Sequence, residues 1–139
     1  MHVYLNIFQG GSGFTAAGLD QNLIANVIFL GDVNKRFPED IRQPVVYFHI
    51  EDGYNDVDTL RDVLREIDAL QKSGNLLIAC DAGLSRSVLV ASAYIYRKHR
   101  VKPHFREVVR TMFPLAFLSM STDLYYCLEE VLDECESSS

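Results

Sequence analysis

Two hydrophobic periods alternate along this chain. Residues 1–8 alternate and are rich in Val, Tyr, Leu, Ile and Phe, which predicts a strand. The run Gln9-Gly10-Gly11-Ser12-Gly13 breaks it. Residues 15–25 predict a short helix with Leu19, Leu23 and Ile24 inward, and 27–30 predict a second strand closed by Gly31-Asp32. Residues 34–44 carry two prolines and several charges and read as irregular, whereas 45–50 predict a third strand. Each strand run is too apolar for a sheet with one wet face, so helices are expected on both sides.

After the polar loop Glu51-Asp52-Gly53-Tyr54-Asn55-Asp56, the period changes to that of a helix, with Val57, Leu60, Val63, Leu64, Ile67 and Leu70 on one face and Ser73-Gly74 as the stop. Residues 76–79 predict a fourth strand. Residues 88–100 are apolar on nearly every face, which predicts a central, buried helix. Pro103 is placed to open a further helix with Phe105, Val108, Val109 and Met112 on one face, and Pro114 to end it. A last helix is expected from Ser121 or Thr122, with Leu124, Leu128, Val131 and Leu132 inward and a disordered tail over 136–139. Strands alternating with helices predict an α/β fold: one domain over 1–135, with a central, mostly parallel sheet of four to five strands flanked by helices.

Length and charge narrow the function classes. A chain of 139 residues suits one domain. The formal net charge of −6 argues against nucleic acid or an anionic membrane as partner. No apolar run approaches the ~20 residues of a membrane span, and the first residues lack the basic start and apolar stretch of a signal peptide. The three cysteines, Cys80, Cys127 and Cys135, and the four histidines, His2, His49, His99 and His104, show no metal-ligand spacing. No metal or cofactor is therefore expected. Reduced thiols in a cytoplasmic, monomeric protein are the natural reading. Cys127 and Cys135 read as small hydrophobes, His49 as structural, and Tyr125-Tyr126 as a packing pair.

The candidate chemistry lies in Cys80-Asp81-Ala82-Gly83-Leu84-Ser85-Arg86-Ser87, between the fourth strand and the buried helix. A strand, a tight loop and a helix start make an anion cradle, because loop N–H groups and the helix N-terminus converge on one point. The same environment favours a thiolate at Cys80. Arg86 offers a planar fork for two phosphate oxygens. Gly83 lets the loop turn its N–H groups inward, and Ser87 can hydrogen-bond the sulfur. Together these specify thiolate attack on a phosphate ester and hydrolysis of the resulting phosphocysteine.

This Cys-x5-Arg run resembles the signature loop of the cysteine-dependent protein tyrosine phosphatases, and its Ala82-Gly83-x-Ser85-Arg86-Ser87 wording resembles the dual-specificity branch. Ala93-Tyr94-Ile95-Tyr96 resembles the Ala-Tyr-Leu pattern of the following helix in that family, and Ile50-Glu51-Asp52 the strand end that carries the general acid. The resemblance implies a dual-specificity phosphatase-like fold and phosphorylated protein or peptide as substrate. It implies Cys80 as nucleophile, Arg86 as clamp, Ser87 as leaving-group helper and Asp52 as proton donor, with Asp56 or Asp58 as alternatives. Asp81, Ala82, Gly83, Leu84, Ser85 and Arg86 would surround the phosphate, with the Asp81 side chain turned outward at the rim. The lysines that relatives acting on phosphoinositides carry in this loop are absent, so phosphotyrosine is the expected target, with phosphoserine or phosphothreonine beside it.

Two departures stand out. Most relatives have a histidine before the cysteine, where this chain has Ala79, so an active but attenuated enzyme is expected. The alternative is an inactive pseudophosphatase that binds phosphotyrosine. Arg110 keeps one feature of a family segment with a second anion contact, but reads as a solvated helix residue. A decoy also has to be weighed: Gly11-Ser12-Gly13-Phe14-Thr15-Ala16 matches G-x-G-x-x-A, with Asp32 about 20 residues on, the pattern of a dinucleotide site. Its ordinary reading is a glycine turn between a strand and a helix.

Overall fold

A computed structural model describes residues 2–4, 6–11, 13–31, 41–81, 85–99, 105–112 and 121–137. Five strands, β1 (His2–Tyr4), β2 (Ile7–Gly11), β3 (Ile24–Leu30), β4 (Val45–Phe48) and β5 (Asn75–Cys80), form one sheet in the order β1-β2-β5-β3-β4. β1 runs antiparallel to β2, and the other neighbours are parallel. β5 is therefore bonded on both edges, and its residues from Leu76 to Cys80 are all buried. This is the expected α/β fold with a mostly parallel sheet.

The helices α1 (Ala16–Gln21), α2 (Val57–Leu70), α3 (Ser85–His99), α4 (Phe105–Met112) and α5 (Thr122–Ser137) divide unequally over the two faces. The larger core joins Ile28, Leu30, Ile78 and Cys80 of the sheet to apolar faces of α2, α3, α4 and α5. On the other face Leu19 of α1 packs with Ile24, Val27, Phe29, Leu77 and Ala79. The α2 pattern holds: Leu60, Val63, Leu64 and Ile67 are buried, and Asp56 caps the helix by accepting from the Thr59 N–H. Phe105 stacks on Tyr125 at 4.9 Å, while Tyr126 is exposed, so that pair splits between core and surface. Among the described residues no helix is long and apolar enough to cross a membrane.

Three expectations need correcting. The single strand over 1–8 is two strands around Asn6. The Asn6 carbonyl accepts from Leu76 N–H (2.9 Å), and its side-chain amide donates to the carbonyls of Gln71 and Gly74. The helix over 15–25 stops at Gln21. Asn22 caps it with backbone and side-chain bonds to Gly18 O, and Leu23 follows with φ +56°, a left-handed conformation in which its side chain is 77% exposed rather than inward. The third strand ends at Phe48 rather than at Ile50, and His49 stands on the surface beside Glu51 (2.7 Å). Asp32, Pro103 and Pro114 lie outside the described residues, as do residues 138–139.

α2 and α3 are also joined by a polar contact. The Tyr94 hydroxyl donates to Asp68 Oδ1 at 2.9 Å, with Lys98 and Lys72 close to the same carboxylate. Partial burial pushes the Asp68 carboxyl up, but the bonds from Tyr94 and Lys98 and the lysine charges outweigh it and hold the carboxyl below its ordinary range. A carboxylate held lower in the folded than in the unfolded chain contributes fully above the ordinary range and loses that contribution as the pH falls through the lowered value. Tyr94→Phe should therefore reduce the unfolding free energy by about 0.5–1 kcal/mol near neutral pH in urea titrations. The gap to wild type should narrow as the solution is acidified.

Candidate active site

Cys80 ends β5, and α3 begins at Ser85, so Ser85, Arg86 and Ser87 occupy the first turn of the buried helix. Ala82, Gly83 and Leu84 lie outside the described residues. The expected sulfur contact is present: Cys80 Sγ lies 3.2 Å from Ser87 Oγ, both groups fully buried. Ser85 Oγ accepts from the Ser121 N–H at 3.0 Å, which ties the start of α3 to the start of α5.

Arg86 is half-buried and reaches across to the loop after β4, where Nη1 donates to the Ile50 carbonyl at 3.1 Å. That carbonyl lies two residues before Asp52, so the guanidinium and the candidate acid are coupled through a short piece of backbone. Asp81 does not stand outward at the rim. Its Oδ2 is 4.0 Å from Arg86 Nη2, and the same oxygen would be 2.6 Å from a Cβ at Gly31. The carboxylate lies on the guanidinium side, and a glycine at the end of β3 leaves the room for it. A phosphate held by Arg86 would have Asp81 as an anionic neighbour.

The three candidate acids separate by employment. Asp56 caps α2 through the Thr59 N–H, and Asp58 pairs with Arg61. Asp52 is exposed in the bend of the loop. The loop is held by Asn55, a residue that sequence reasoning missed. Its Oδ1 accepts from the Glu51 N–H (2.9 Å), and its Nδ2 donates to the carbonyls of Glu51 (2.8 Å) and Gly53 (3.0 Å). Its own N–H donates to Cys127 Sγ (3.5 Å) on α5, so Cys127 is more than a small hydrophobe. An asparagine directly before a helix-capping aspartate was the available signal. Arg110 is exposed and pairs with Glu107, as a solvated helix residue would.

Ala79 sits in the smaller core, fully buried, with Gly10 opposite it on β2 and Phe29 on β3. Phe29 and Tyr47 fill this face edge to ring at 6.1 Å. A small residue at 79 is thus matched to a large one at 29, and this side of Cys80 is apolar.

The glycine-rich decoy does not assemble. A cavity of about 340 Å³ opens beside it, between Phe8, Phe14, Leu19, Ile24 and Leu77. However, α1 has only six residues, its Gly18 N–H is taken by Thr15 Oγ1, and β5 stands between β2 and β3. A dinucleotide fold needs those two strands as neighbours.

The sequence matches no family model and no curated protein. Solved structures share its fold. The Yvh1 phosphatase domain from Chaetomium thermophilum is 21% identical with a TM-score of 0.72, over 96% of this chain and 94% of that one. Human DUSP28 is 17% identical with a TM-score of 0.71, over 96% of each chain. A mouse putative dual specificity phosphatase, solved in complex with zinc tungstate, is 19% identical with a TM-score of 0.70, over 96% of this chain and 86% of that one. The fold is that of the small dual-specificity phosphatases.

The Asn55 tether is directly testable. Asn55→Ala removes the partners of one part-buried N–H and two carbonyls, and should lower stability by about 1–3 kcal/mol. Amide exchange at Glu51 should quicken while exchange in β5 keeps its order. Unchanged exchange at Glu51 would show that the loop holds itself.

Proposed function

We propose that this chain is a protein phosphatase that hydrolyses phosphotyrosine, together with phosphoserine and phosphothreonine, through a phosphocysteine intermediate. The observation that carries this reading is the 3.2 Å contact between Cys80 Sγ and Ser87 Oγ at the mouth of α3. It occurs in a fold shared with dual-specificity phosphatases and beside an arginine aimed at the candidate acid loop.

In the first step the Cys80 thiolate attacks phosphorus and the ester P–O bond breaks. Asp52 gives its proton to the departing oxygen, and Arg86 holds two of the equatorial oxygens. In the second step Asp52 takes a proton from water, the water oxygen bonds to phosphorus, and the S–P bond breaks. The sulfur leaves as a thiolate that the Ser87 hydroxyl steadies by donating a hydrogen bond. The loop N–H groups of residues 81–86 cradle the phosphate throughout. The substrate is a phosphorylated protein or peptide, and a reduced Cys80 requires a thiol-preserving compartment such as the cytoplasm.

Wild type should hydrolyse p-nitrophenyl phosphate and be inhibited by vanadate. Cys80→Ser should abolish turnover while retaining phosphate-analogue binding. Asp52→Asn should slow hydrolysis by about 10²–10⁴-fold and flatten the basic limb of the pH–rate profile. An inert wild type that still binds phosphotyrosine peptide would overturn the enzyme reading in favour of a binding module. An unchanged profile in Asp52→Asn would move the acid to Asp56 or Asp58.

A further inference from the structure

One buried polar group has no part in the mechanism so far. Gln9 lies on β2, pairs with Ile78 across the ladder, and shares with Ile7 the face that looks into the larger core. It is 2% exposed at a position where the strand pattern calls for an apolar residue. Its Nε2 donates to Ser87 Oγ at 2.9 Å, the same oxygen that lies 3.2 Å from Cys80 Sγ. Burying a carboxamide in an apolar core is unfavourable unless its hydrogen bonds are made, and those bonds then fix its partners firmly.

The geometry points to Gln9 as a positioning residue that sets the Ser87 hydroxyl to donate to the ionised Cys80 sulfur. A hydroxyl has one proton to give. While Cys80 keeps its proton, the S–H donates to Ser87 Oγ, and the Ser87 proton has the Gly10 carbonyl within 3.4 Å. Once the sulfur is ionised it can only accept, and the hydroxyl proton turns to it. The Gln9 N–H occupies a lone pair of the oxygen in both states. It anchors that oxygen at sulfur distance and makes the O–H a stronger donor, which favours thiolate over thiol.

This inference rests on Cys80 as the nucleophile, but its test does not require turnover. Iodoacetamide alkylation of Cys80, followed on its own peptide by mass spectrometry, reports thiolate as a function of pH. Among the described residues, the charged groups at this end of β5 are Arg86 and Asp81, with Glu51 and Asp52 on the facing loop. The neighbouring ends of β2 and β3 present Gly10, Gly11, Leu30 and Gly31. Gln9→Met keeps the shape, removes the N–H and leaves all of those charges in place. The alkylation midpoint should rise by roughly half to one pH unit, and kcat should fall roughly 3- to 10-fold with KM little changed. Gln9→Glu, acceptor-only when ionised, should draw the Ser87 proton away from the sulfur and raise the midpoint further. In a Ser87→Ala background Gln9→Met should add nothing.

Each outcome decides. A midpoint unmoved by both Gln9 variants overturns the inference, and so does a shift that persists without Ser87. Tolerance of Gln9→Glu overturns it as well, since the amide oxygen would then be the partner. If wild type hydrolyses no phosphate ester but Gln9→Met still shifts the alkylation midpoint, the phosphatase reading falls and the role of Gln9 stands.

Discussion

Parallel pairing on both edges of β5 is the constraint on which the molecule depends. A strand bonded to β2 on one side and β3 on the other cannot slide, because a one-residue slip would exchange Ile78 and Cys80 with Leu77 and Ala79 between two different cores. The register therefore fixes which way the Cys80 sulfur points. It also delivers the sulfur to the carboxyl edge of the sheet, where α3 begins. In open α/β folds that edge is where loops can gather around a ligand.

What gathers there comes from widely separated parts of the chain. Gln9 arrives from β2, the Ile50 carbonyl from the loop after β4, Gly31 from the end of β3 and the Ser121 N–H from the start of α5. Each tether is a modest hydrogen bond or a close approach, and none would hold the junction alone. Arg86 and Asp81 show the electrostatic side of the same economy. The carboxylate that would repel a phosphate is kept against the guanidinium that would attract one. An anion bound by Arg86 would therefore compete with a group already beside it.

Legibility in the sequence followed the range of the interactions. Cys80, Arg86 and Ser87 were readable because one strand, loop and helix turn carry them within eight residues. α2 was readable because its apolar spacing is local. The break at Asn6 was not, because its bonds go to residues 71–76. Nor was the outward Leu23, where a short-range Asn22 cap closes the helix before the apolar pattern ends. Gln9 and the tie from Asn55 to α5 were invisible for the same reason. Their partners lie at residues 87 and 127, and a polar residue in a strand or a loop looks ordinary until the other end arrives. The inward turn of Asp81 depends on the absence of a side chain at Gly31, fifty residues earlier.

The place of β5 in the sheet has a consequence for how the chain comes into being. β1 with β2, and β3 with β4, can pair from neighbouring sequence, but β2 and β3 do not touch each other and meet only through β5. During synthesis, the edges of β2 and β3 that face each other across β5 have no strand to pair with until residue 80 has been made. β5 closes both edges and carries the sulfur, so the site's setting depends on non-local pairing made by a late strand. Such topologies fold slowly, and both edges stay open to aberrant pairing until β5 is in place.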